Sequence, residues 1–127
     1  MKALVVDDSR AMRRIIAKYL VELGFEVHEA GSGLEALVQA PKISGLSVIL
    51  LDWNMPEMDG RTLLERLRAD PDFADTPVMM VTTESEMEQV EVALQAGASE
   101  YLMKPFDRAA LREKLLLLGF DPEEKAA

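Results

Sequence analysis

Four short apolar runs each end on a chemically reactive side chain, and this repeated pattern limits the possible folds more than any other feature of the chain. Residues 3–6 (ALVV) lead into Asp7 and Asp8, residues 47–51 (SVILL) into Asp52, residues 77–81 (PVMMV) into Thr82, and residues 101–103 (YLM) toward Lys104. Apolar runs this short, closed by turn chemistry, read as buried strands rather than helices. The turn signal is strongest after Asp52, where Asn54, Pro56, Asp59 and Gly60 follow within one loop. A further strand, FEVHEA at 25–30, alternates apolar and polar residues, as a strand with one wetter face does.

Helical spacing fills the intervals. Met12, Ile15, Ile16, Tyr19, Leu20 and Leu23 recur at the helix period until Gly24 ends the pattern. Ser32 can cap a second helix that stops before Pro41; Leu63, Leu64 and Leu67 mark a third; Met87, Val90 and Leu94 mark a fourth that ends at Gly97. Asp107 can cap a fifth running to about Leu118. Strands alternating with helices predict an α/β domain, a doubly wound five-stranded parallel sheet with helices on both faces. Open sheets of this kind bind ligands beyond the carboxyl ends of their strands, where the strand order reverses. The reactive residues stand at those ends, so they are the candidate site.

Composition narrows the chemistry. With 127 residues and 49% hydrophobic content the chain suits one domain that buries its core without staples. There is no cysteine, which excludes disulfides, thiolate metal sites and thiol nucleophiles. A formal net charge of −9 disfavours nucleic acid and favours a cation or a protein partner. The start, MKALVVDDS, is neither a signal peptide nor a membrane span, so a cytoplasmic protein without membrane contact is expected.

Taken together, VVDDS, ILLDWNMPEMDG, PVMMVTTES and AGASEYLMKPF resemble the receiver domain of bacterial response regulators, and within that family the single-domain chemotaxis receivers. The likeness covers about residues 3 to 119, which sets a receiver domain at 1–120 followed by a polar tail at 121–127. It implies the flavodoxin-like strand order 2-1-3-4-5, for which this family is a standard example. Given that order, the first and third strands lie about 4.8 Å apart and their terminal carboxylates converge. Carboxylates that close repel, which favours a bound cation, and an all-oxygen donor set suits Mg²⁺ or Mn²⁺ rather than zinc.

The resemblance assigns the roles. Asp52 is the phospho-acceptor for a histidine kinase; Asp8, Asp52 and the Asn54 backbone carbonyl ligate the metal, with Asp7 acting through water. Thr82 and Lys104 meet the phosphoryl oxygens, and the Lys104–Pro105 bond is cis. Tyr101 turns inward on phosphorylation, and a face carrying Val90, Leu94, Tyr101, Phe106 and Lys114 receives the output protein, in chemotaxis the flagellar motor switch. No output domain follows, so a monomer that signals by protein contact is expected, a switch that catalyses its own phosphorylation and dephosphorylation rather than a turnover enzyme. The alternatives are a phosphorelay intermediate or adaptor outside chemotaxis and, more remotely, a Mg²⁺-dependent aspartyl-phosphate phosphatase. The latter wants an acid two residues past its nucleophile, where this chain has Asn54.

Two positions depart from the family pattern. Thr83 stands where the family usually has a smaller residue and is expected to crowd the phosphoryl group. Glu86 and Met87, among Glu84, Glu88 and Glu91, stand where the chemotaxis receivers have lysines. Several residues have plainer readings: His28 is an exposed residue on the wetter strand, Asp59–Gly60 is turn and cap chemistry, and the eight methionines fill the core.

Overall fold

The computed structural model describes residues 1–122; residues 123–127, most of the polar tail, and the Glu84 side chain lie outside the described part. Five strands and five helices alternate: β1 (Lys2–Val6), α1 (Arg10–Glu22), β2 (Glu26–Ala30), α2 (Gly33–Gln39), β3 (Leu46–Asp52), α3 (Gly60–Ala69), β4 (Val78–Thr82), α4 (Val90–Gln95), β5 (Glu100–Met103) and α5 (Arg108–Leu117). All pairings are parallel and the order is β2-β1-β3-β4-β5. No helix among the described residues is long and apolar enough to cross a membrane.

The central strands are apolar throughout because both of their faces are covered. Leu4, Val6, Ile49, Leu51, Val78 and Met80 point to one side, where Leu63, Leu64 and Leu67 of α3 pack with Ala36 and Ala93. The alternate residues Ala3, Val5, Val48, Leu50, Met79 and Val81 point to the other, against Ile16 and Leu20 of α1 and Leu111 and Leu115 of α5. This strict alternation decides which way each strand-end residue faces.

Side-chain caps start four helices, three of them at the expected residues and the first at Ser9, which the sequence reading did not single out. Ser9, Ser32, Asp59 and Asp107 accept from backbone N–H groups of their first turns. α2 stops at Gln39, before Pro41 as expected, and a separate 3-10 turn, Ala40–Lys42, carries the proline near its start, where it loses no needed N–H. One boundary differs from the sequence reading. The stretch Glu84–Gln89 is a 3-10 turn rather than the first part of α4, so Met87 lies on it and the α-helix proper is short. At the far end Phe120 meets Phe25 edge-on at 5.7 Å and Pro122 is buried, so packing continues past α5.

Candidate functional site

The strand order reverses between β2-β1 and β3, and the crevice this opens at the carboxyl edge holds the acidic residues. Val6 pairs with Leu51, so Asp7 and Asp52 come next and level with each other. Both follow residues that face α3, so alternation turns their side chains to the opposite side, that of α1 and α5. Asp7 is 1% exposed and Asp52 is 7% exposed, whereas Asp8 lies open to solvent. Each of the three offers a carboxylate oxygen within 4.8 Å of the others. That donor set fits a hard divalent cation: it is oxygen only, the chain has no cysteine, and the single histidine sits on the edge strand β2 bonded to Glu26.

Lys104 enters from β5. Its N–H donates to the Thr82 carbonyl, and its side chain crosses β4 to place Nζ 3.3 Å from Asp52 Oδ1 and 3.4 Å from Asp7 Oδ2. The resemblance placed this lysine at the phosphoryl oxygens; the structure makes it a bridge between two carboxylates. The Lys104–Pro105 bond is cis. Burial, and then the neighbouring charge of Asp7, push the Asp52 carboxyl up to about 6 from its ordinary 3.8, against the opposing pull of Lys104.

Thr82 ends β4 one residue past Val81, the partner of Asp52. It is 1% exposed, and its hydroxyl has no hydrogen-bond partner. Buried hydroxyls are almost always paired, so this one is free to donate to a group bound at the strand edge. Thr82 and Tyr101 fall on the same face of neighbouring strands, since Thr82 pairs with Met103 and Met80 with Tyr101. The Tyr101 ring lies under Lys114 Nζ at 4.2 Å, and Lys114 is also 3.3 Å from Glu100.

The loop after Asp52 is tightly built. Glu57 has φ 67° and Met58 N donates to Pro56 O at 2.7 Å, a strained three-residue turn that doubles the chain back. Gly60 then opens α3 against the backbone of the strand end. A Cβ there would meet the Asp52 carbonyl and lie 2.8 Å from Trp53 Cα, so only glycine permits the approach. Asn54 is exposed within this loop, close in sequence to Asp52.

Three readings of the sequence need adjustment. Thr83 turns its hydroxyl away into its own turn, 2.8 Å from Glu86 Oε1 and 2.9 Å from Ser85 Oγ. Val90 is only 8% exposed, on the buried face of α4, whereas Leu94 is 44% exposed. Phe106 packs edge-on over Tyr19 of α1 at 6.3 Å, in the layer opposite α4. The exposed apolar centre of the α4–β5–α5 face is therefore Leu94 with Met103. Sequence reasoning also missed Arg13, which reaches from α1 to Glu29 and to the Asp7 carbonyl. No spacing signal announces it, because its partners are on two strands.

A crevice of carboxylates with a lysine bridge, at the reversal of a 2-1-3-4-5 sheet, defines a receiver. The chain belongs to the response regulator receiver domain family, whose family model matches residues 3–116. Among its relatives, the chemotaxis protein CheY1 of Helicobacter pylori is 47% identical over 121 residues, which cover 94% of this chain and 98% of that one. The CheY homolog of Campylobacter jejuni is 46% identical over 129 residues, covering 100% and 99%. The solved structure of the chemotaxis response regulator CheY4 of Vibrio cholerae superposes with a TM-score of 0.85 at 36% identity, covering 92% of this chain and 97% of that one. The chain is a receiver that resembles chemotaxis response regulators of the CheY type.

Proposed function

We propose that the protein is a phosphorylation-dependent switch of a two-component phosphorelay, serving chemotaxis, in which Asp52 accepts a phosphoryl group from a histidine kinase. The carrying observation is the Asp52 carboxylate, buried and held by Lys104, one strand away from an unpartnered Thr82 hydroxyl. Asp52 attacks phosphorus, the P–N bond to the kinase histidine breaks, and its electron pair leaves with the imidazole. Lys104 then swings its ammonium from Asp52 to a phosphoryl oxygen, and the Thr82 hydroxyl donates to another, satisfying the orphan. A Mg²⁺ ion held by Asp8, Asp52 and the Asn54 carbonyl, with Asp7 behind it, would supply charge neutralisation on the transferring oxygens. The movement of Thr82 frees space on its face for Tyr101 to turn inward, and this packing change biases the outer surface between two states.

That surface, read as Leu94, Met103, Tyr101 and Lys114, has an apolar centre, and Glu86, Glu88 and Glu91 lie on the adjoining 3-10 turn and α4. Its acidic edge favours an output partner with a basic docking segment, the flagellar motor switch in the chemotaxis reading. The direct test is incubation with acetyl phosphate and Mg²⁺ followed by intact mass. A gain of about 80 Da, the mass of one phosphoryl group, is expected in the wild type and absent in Asp52→Asn. An adduct retained by the variant refutes the assignment.

A further inference from the structure

We infer that Arg13, held by Glu29, is a positioning residue that sets the affinity of the acidic crevice for a divalent cation. The inference rests on the metal-dependent reading above and extends it to a side chain outside the ligand set.

Arg13 lies in α1, and its side chain is 17% exposed. Its Nη1 donates to the Asp7 carbonyl at 2.7 Å and its Nε to Glu29 Oε1 at 3.1 Å. The accepting oxygen belongs to the peptide that joins Asp7 to Asp8. A peptide is planar, so holding its oxygen fixes the direction in which the chain enters Asp8. The same turn is held on two other sides: Asp7 N donates to Ala30 O at 3.2 Å, and Ser9 N donates to Asp7 Oδ1 at 2.8 Å. Asp8 itself is exposed, with only this turn to aim it. Among the described residues, Arg13 is therefore the one side chain that ties the Asp7–Asp8 peptide to a second strand, through Glu29 of β2.

Charge and position act in opposite directions here. A guanidinium beside a cation site repels the cation, so as a charge alone Arg13 weakens binding. Glu29, bonded to Arg13 and 3.6 Å from Arg14 Nε, offsets that charge and leaves the geometric effect dominant. Residues that orient metal ligands from behind commonly change affinity 10- to 100-fold when removed.

The sign separates the two roles. Mg²⁺ would be titrated into wild type, Arg13→Met, Arg13→Lys and Glu29→Gln, read by Trp53 fluorescence and by calorimetry, with thermal unfolding in chelator as a check of the fold. Arg13→Met is expected to bind about tenfold more weakly. Arg13→Lys keeps the charge but has no planar fork to serve both acceptors, so it also weakens binding, and it decides the matter should Arg13→Met not fold. Glu29→Gln keeps an acceptor oxygen for Arg13 but removes the charge that offsets the guanidinium, so it too weakens binding, and Glu29→Gln binding as tightly as wild type shows that the offset plays no part. Arg13 variants that match wild type or bind more tightly overturn the inference. A wild type with no Mg²⁺ response refutes instead the metal reading beneath it.

Discussion

Replacing Asp52 with Asn should make the protein more stable while disabling it. The folded chain holds the Asp52 proton up to a pH of about 6, well above the ordinary 3.8, because the carboxylate is buried and faces Asp7. At neutral pH folding must therefore place a charge where the structure disfavours one. Two units correspond to about 3 kcal/mol at about 1.36 kcal/mol per unit, an upper limit. The crevice opens to water at Asp8, and solvent screening leaves about 1.5 kcal/mol. Asn keeps the shape and an acceptor for Lys104, which still has Asp7 at 3.4 Å. Asp52→Asn should raise the midpoint of thermal unfolding by about 5 °C at pH 8 in chelator. The sign follows from linkage: a raised carboxyl pKa destabilises the fold above it, so the gain is full above pH 6, shrinks as pH falls toward 3.8, and vanishes below. Mg²⁺ should close the gap by stabilising the wild type more than the variant. Unfolding scans of both proteins at pH 8, 5 and 4 decide it: a variant less stable at pH 8, or a gain that ignores pH, refutes the reasoning.

Mg²⁺ should bind at millimolar order and quench Trp53, next to Asp52; Asp8→Ala should lose that response, and a titration that overlays the parent's removes Asp8 from the ligands. Lys104→Met should still gain the phosphoryl mass yet show no phosphorylation-dependent rise in partner affinity, because the cation that links strand β5 to the new charge is gone; a normal rise sinks that role. Thr82→Val exchanges an orphaned hydroxyl for a methyl of the same shape, so the unphosphorylated protein should be stabilised by about 1 kcal/mol in urea unfolding, and a loss of that size would mean the hydroxyl has a partner. If the proposed motor switch is the target, the phosphorylated form should bind a basic peptide from it more weakly as salt rises; binding that is insensitive to salt argues against the acidic edge as the selector.

Much of this protein can be read along the chain because its signals are local. Runs buried on both sides, caps at Ser32, Asp59 and Asp107, and reactive residues at the strand ends need only neighbours in sequence to be recognised. Together they define the α/β alternation, the edge that bears the site, and its donors. What they leave open depends on which elements meet. Ile15 has helical spacing yet is 45% exposed, Val90 is covered, and Phe106 packs over Tyr19, since no pattern within one helix states which neighbour covers it. Thr83 looks like an obstacle until its hydroxyl is seen bonded to Glu86. The Lys104 bridge to Asp7 spans ninety-seven positions of sequence, and Arg13 meets Glu29 across sixteen. Residue type and spacing determine what chemistry the chain can carry; only the folded sheet, by making β1 and β3 neighbours, decides which charges share a volume and how far the Asp52 proton is held from its ordinary pKa.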